Sequence, residues 1–145
     1  MRWFAALLLA LYTVFVARLT LADPSAGAPV FSAFNYWAEL FAGGRLTGTQ
    51  LEVIANVLLF IPAGFLLAVV LHRAFLALGL CILASAFIEL AQRTWFATRV
   101  PSVADVLHNG YGAAIGVLVF AVLGAGIRWL SLGSTQGQRS GELPA

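Results

Sequence analysis

Four apolar runs, each about as long as a bilayer is thick, leave this chain few ways to fold. They extend over Trp3 to Ala22, Val53 to Leu71, Ala74 to Gln92 and Val106 to Leu130. A helix needs about 20 apolar residues to cross about 30 Å of hydrocarbon, and each run is near that length. None shows the period-two alternation of a membrane β-barrel strand. Hydrophobic residues make up 61% of the 145-residue chain and charged residues 10%, which is too little polarity to cover a folded domain in water. Lipid accepts such a surface once every backbone group is bonded inside its own helix. The expected fold is therefore all-α, with four transmembrane helices in a single domain over residues 1–132. Residues 133–145 are polar and rich in Gly and Ser, and are expected to carry no regular structure.

The connections narrow the topology. His72-Arg73 is the whole turn between the second and third runs, so those helices must be antiparallel neighbours. About thirteen residues, RTWFATRVPSVAD, join the third to the fourth. The longest connection, Asp23 to Glu52, places Phe31, Phe34, Ala38 and Phe41 at helical spacing, with Trp37 and Leu40 beside them. Two readings fit: a short helix lying along the headgroups, or a loop whose aromatic side chains sit at the interface. The first run has an alternative of its own. Met1-Arg2, the apolar stretch and Thr20-Leu21-Ala22 before Asp23-Pro24 also resemble a cleavable signal. Arg18 lies close to that site and the apolar stretch is long for a signal, which favours a retained helix.

Charge speaks to membrane flanks rather than to nucleic acid. All eight basic residues are Arg, they form no run, and the pI of 9.2 reflects their slight excess over six acids. With four spans both termini share one side, together with Arg2, Arg73, Arg128 and Arg139; Arg18, Arg45, Arg93 and Arg99 lie on the other. The tie breaks towards cytoplasmic termini if Arg93 and Arg99 are held by neighbouring polar groups. Cys81 stands alone in an apolar run and reads as a small buried hydrophobe, with no disulfide or cysteine metal site open to it. Two histidines without a second ligand cluster give no metal centre, and nothing suggests a cofactor.

The polar residues inside the runs need an explanation, because an ionisable or amide group in a membrane helix faces other helices or water. They are Asn56, Glu89, Gln92, Asp105, His108 and Asn109. Helix alternation brings all six to one membrane level, on the side away from the termini, together with Arg93 and Arg99. Glu89 and Gln92 share a helix face. Asp105, His108, Asn109, Gly112 and Gly116 form one stripe, polar outside and small further in, and Gly112 to Gly116 is a GxxxG that admits a close helix. Pro62 removes a backbone donor in the middle of the second run. Bland roles compete with binding. Ser102 to Asp105 and Thr49 to Glu52 both fit capping boxes at helix starts. Glu89 resists that account, since an anion at a helix C-terminus opposes the dipole; a salt bridge to Arg93 or Arg99 would be its structural role.

These residues resemble the VanZ-like family of bacterial membrane proteins. Asn56-Val-Leu-Leu-Phe-Ile-Pro-Ala-Gly64 looks like one family block. Ser85-Ala-Phe-Ile-Glu89-Leu-Ala-Gln92, followed by Arg99, Asp105, Asn109, Gly112 and Gly116, looks like the other. The two lie within residues 51–122. Family members often carry Thr where Gly110 stands, acids where Ser102 and Ala104 stand, and Gly in place of Ala55. The resemblance implies a four-helix membrane fold and a link to glycopeptide antibiotics, the founding member being associated with teicoplanin resistance. It supplies no reaction.

Three functions remain open on these residues. One is a binding protein of the cell envelope, engaging a lipid-linked or cell-wall headgroup, or a glycopeptide, through Asn56, Glu89, Gln92, Arg93, Arg99, Asp105, His108 and Asn109. The paired donors of the two arginines would suit phosphate. A second is an intramembrane enzyme with Glu89 and Asp105 as general acid and base; no nucleophile motif supports it. A third is a small transporter, which at four spans requires a homo-oligomer, and the GxxxG would permit one.

Overall fold

The computed structural model describes residues 2–21, 24–95 and 102–140. They form five helices: α1 (Arg2–Leu21), α2 (Pro24–Ala42), α3 (Gly48–Leu71), α4 (Ala74–Trp95) and α5 (Val103–Ser140). Four of them, α1, α3, α4 and α5, are long and apolar enough to span a membrane. They coincide with the four apolar runs. α3 starts five residues before its run, at Gly48. α5 continues past its span to Ser140, into the stretch for which the sequence suggests no regular structure. Extending an existing helix costs far less than nucleating one.

The connection after α1 is helical. Pro24 opens α2 at a position where a missing N–H costs nothing. Only two residues separate α2 from α1. Phe31, itself partly exposed, and Phe34 lie on the side towards the bundle, and Tyr36, Trp37, Leu40 and Phe41 are exposed. An exposed aromatic face on a helix between two spans is what an interfacial position requires.

The bundle is closed by small residues. Ala68, Ala77, Ser85 and Ala113 are fully buried, whereas most large apolar side chains, such as Leu11, Leu83 and Leu118, face outward. Lipid tails are as apolar as leucine, so burying leucine between membrane helices gains little; close backbone approach gains more. α3 and α5 form the most extensive pair. Gly112 and Gly116 lie against the Val57 and Ile61 carbonyls, and Gly64 returns the contact against Ala113. The GxxxG face is thus covered by α3 of the same chain. Phe60 and Cys81 pack on Ala113 at the centre, the latter as a buried free thiol.

Alternation of the spans is fixed at both ends by contacts between helices. At one end the Arg2 guanidinium Nε donates to the Val70 carbonyl at 3.1 Å, and His72 meets Phe120 edge-on. At the other, α1 and α4 end where α3 and α5 begin, and Gln92 donates to the Thr20 carbonyl at 2.8 Å. Pro62 lies inside α3 and takes a donor from the carbonyl four residues back. One residue on, the Leu59 carbonyl accepts the Tyr12 hydroxyl at 2.6 Å, so α1 supplies a donor beside the interruption.

The two-residue α3–α4 turn is made by His72 in the left-handed region, at φ 55°, with its N–H closing on the Ala68 carbonyl at 2.8 Å. A Cβ is disfavoured there by about 1 kcal/mol. His72→Gly is therefore expected to raise stability by about 0.5–1 kcal/mol, seen as a higher melting temperature in detergent. A lower melting temperature would mean that the His72–Phe120 ring contact outweighs the backbone strain.

Candidate functional site

The N-terminus of α3 is set by a capping box, but not at Thr49 and Glu52. Thr47 is the N-cap: its side chain accepts from Gln50 N, and the Gln50 side chain accepts from Thr47 N at 2.9 Å. The box sits two residues earlier than the spacing of Thr49 and Glu52 suggested. Glu52 is thereby left without a capping role, one turn before Asn56.

α5 begins in an equally informative way. The Ser102 hydroxyl accepts from Ala104 N at 3.1 Å, an N-cap bond to the second residue of the helix. A capping box would have Asp105 accept the Ser102 N–H. Instead Glu89 of α4 accepts it, at 3.1 Å. An anion that opposes the dipole of its own helix here sits at the N-terminus of another, where the dipole favours it. Asp105 is released from capping and accepts from Asn56 Nδ2 at 3.0 Å, joining α5 to α3. His108 Nδ1 lies 3.9 Å from the same Asp105 oxygen, buried and without a hydrogen bond among the described residues.

One turn deeper, Asn109 is buried and donates from Nδ2 to the Ser85 hydroxyl at 2.8 Å, tying α5 to α4. Its Oδ1 has no donor among the described residues. Gln92, also buried, ties α4 to α1 through the Thr20 carbonyl. These bonds form a circuit that runs from α3 to α5, α5 to α4 and α4 to α1. Each member is an amide, carboxylate or hydroxyl that lipid alone would not satisfy.

The circuit encloses a cleft of about 530 Å³ lined by all five helices. Asn56, Glu89, Gln92, Asp105 and Asn109 line its polar part, with Glu52 added. Tyr12, Phe15 and Leu19 of α1, and Val30, Phe31 and Phe34 of α2, make the apolar wall. A second cleft of about 410 Å³ opens between α2 and α3 and shares Phe31, Phe34, Glu52, Ala55 and Asn56 with the first.

Of the eight residues singled out from the sequence, five therefore line one cleft. His108 lies beside it through Asp105 and is not part of the lining. Arg93 is exposed in the last turn of α4 and does not line the cleft. Arg99 lies outside the described residues. Glu52, Tyr12 and Thr20 were not singled out. The i, i+4 spacing of Glu52 and Asn56 was a usable signal for the first; no spacing announces Tyr12 or Thr20, because only packing brings α1 alongside.

Where the chain departs from the family pattern, the surroundings account for part of the tolerance. A Cβ at Gly110 would sit 3.6 Å from Ile82, an ordinary contact, so either glycine or a larger residue fits there. Ala55 borders both clefts, where glycine would only widen them.

A model of the VanZ/LLP1 family matches residues 3–124, a span that takes in all four membrane helices up to the later turns of α5. No curated protein and no solved structure matches the chain.

Proposed function

The chain belongs to the VanZ/LLP1 family, and on that footing we propose that it is a membrane-embedded binding protein for the polar headgroup of an amphiphile. The observation that carries this is the five-helix cleft, polar along Asn56, Glu89, Gln92, Asp105 and Asn109 and aromatic along α1 and α2. A headgroup would meet the amides and carboxylates while its chain lay against Phe15, Phe31 and Phe34. Burial of that kind is typical of ligand sites, which are mostly apolar with a few placed polar groups.

The reading extends to cellular placement. Arg18 and Arg93 occupy the last turns of α1 and α4, where a helix dipole favours a cation in either orientation. Setting them aside leaves the excess of arginine with the termini, so we place the termini in the cytoplasm of a bacterial cell and the cleft at the outer face. A lipid-linked cell-wall precursor is the amphiphile that would then connect this chain to glycopeptide resistance. The proposal also requires Arg2–Leu21 to be retained, since its removal would strip one wall from the cleft.

A photo-reactive benzoylphenylalanine in place of Phe31 tests the proposal in cells. Adducts at Phe31 should be enriched in one amphiphile class relative to adducts at Phe87, which is exposed on α4 away from the cleft. Ala55→Trp, which fills the shared wall of both clefts, should abolish the enrichment. Identical adduct composition at the two positions would overturn the reading.

A further inference from the structure

We infer that the amphiphile enters the cleft sideways from the bilayer, through the gap between α2 and α3, with α2 as the lid that swings to admit it; the inference rests on the amphiphile reading above and adds the route to the same site. The route follows from how the five walls are held. The Asn56–Asp105 bond and the glycine seam join α3 to α5. Asn109 and Ser85 join α5 to α4, Gln92 and the Thr20 carbonyl join α4 to α1, and Tyr12 and the Leu59 carbonyl join α1 to α3. α2 stands outside this circuit. Among the described residues its one side-chain hydrogen bond is internal, from Ser32 Oγ to the Pro29 carbonyl at 3.0 Å.

What holds α2 is apolar contact. Gly27 is buried near α1, where an added Cβ would stand 3.5 Å from the Leu19 side chain, so the N-terminal end of α2 lies close on the bundle. Further along, Phe31 and Phe34 are the α2 side chains that border both clefts. Such contacts hold weakly in a membrane, because lipid tails offer phenylalanine equivalent surroundings. An element with few buried contacts and no tying hydrogen bond opens at the least cost. The C-terminal end of α2 has the slack to do so. Gly43 and Gly44 follow the helix at φ 60° and 71°, and a Cβ at either would meet nothing within 4 Å. Glycine passes between backbone regions freely, so this link can change direction without a side-chain clash. The outer face steadies the moving helix. Trp37 stacks on Phe41 with ring centroids 6.1 Å apart and meets Tyr36 edge-on, an aromatic cluster that keeps α2 at headgroup depth in both positions. Moving Phe31 and Phe34 aside merges the second cleft with the first, since Glu52, Ala55 and Asn56 of α3 border both.

Bridging α2 to α3 tests the route. Asn35→Cys and Leu51→Cys border the second cleft from the two helices, and Cys81→Ala removes the remaining thiol. Bis-methanethiosulfonate reagents of graded length join the pair in micelles, and intact mass identifies the one that closes it. Benzoylphenylalanine in place of Phe15, which lines the first cleft and not the second, reports the occupant. The full-length protein is then placed in vesicles of total lipid extracted from the expression host grown in deuterated medium, so that every amphiphile is heavy whatever its class. Phe15 is partly exposed, so Ala55→Trp supplies the background of adducts formed outside the cleft. Unbridged protein should gain heavy adducts well above that background. Bridged protein should fall to the background, and cleaving the bridge with dithiothreitol should restore the gain, which a misfolded variant would not do. Heavy adducts of bridged and unbridged protein that are equal, and both above the background, would overturn the lid while the amphiphile cleft stood. Unbridged protein that never rises above Ala55→Trp would overturn both.

Discussion

Gly116→Leu should separate α3 from α5 and destabilise the fold by about 3 kcal/mol or more, at the upper end of what overpacking costs. A Cβ at Gly116 would fall on the Ile61 carbonyl oxygen and within 2.7 Å of Phe65 N. Both are backbone atoms, so no side-chain rotation relieves the clash. The helices must part along the seam, and Gly112 and Gly64 would lose their close contacts with it. Gly124→Leu is the control, because an added Cβ there meets nothing within 4 Å. It should be neutral or slightly stabilising, since leucine favours helix over glycine. Thermal unfolding in detergent, followed by the monodisperse elution peak, should show a large loss for the first variant and none for the second. Equal melting of Gly116→Leu and wild type would mean that α3 and α5 are not packed as described. The same comparison bears on oligomers: α3 already covers Gly112 and Gly116, so a self-association that survives Gly116→Leu would have to use another face.

Loss of the Asp105 carboxylate should have the second large effect, and it should depend on Asn56. The two are linked at 3.0 Å between α3 and α5, near the first turn of α5. Side-chain hydrogen bonds inside membrane proteins average well under 1 kcal/mol and reach about 1.7. An ionised acceptor puts this one towards the upper end, so a coupling of about 1.5 kcal/mol is expected between Asn56→Ala and Asp105→Ala. A double-mutant cycle on unfolding free energy measures it. Glu89→Ala should show no such coupling to Asn56→Ala, because Glu89 holds Ser102 N and not Asn56. A cycle that closes with zero coupling for Asn56 and Asp105 would remove the link between α3 and α5 from the site.

The spans and their alternation were legible because lipid imposes them: a run of apolar residues of bilayer length has few other fates. Alternation alone then brings the start of α3, the end of α4 and the start of α5 to one level. That is why Asn56, Glu89, Gln92, Asp105 and Asn109 could be grouped before any packing was known, and the structure lines one cleft with them. Roles within the group were not legible. Ser102 to Asp105 has the spacing of a capping box, but the Ser102 hydroxyl takes Ala104 N instead. Local spacing carries no record of Glu89, thirteen residues away, which takes the N–H that Asp105 would have taken. Thr49 with Glu52 has the spacing of a capping box too, yet the box closes two residues earlier, on Thr47 and Gln50.

Hydrophobic patterning by itself determined the class of fold, the number of spans and the depth at which the polar groups sit, because the cost of exposing backbone or charge to lipid is large and local. Which of those groups bond to each other, which helix covers the glycine face, and which carboxylate is left facing the cleft were decided by the tertiary structure. Those outcomes depend on differences of a kilocalorie or so between competing partners, and the competition is joined only when α1, α3, α4 and α5 are already side by side.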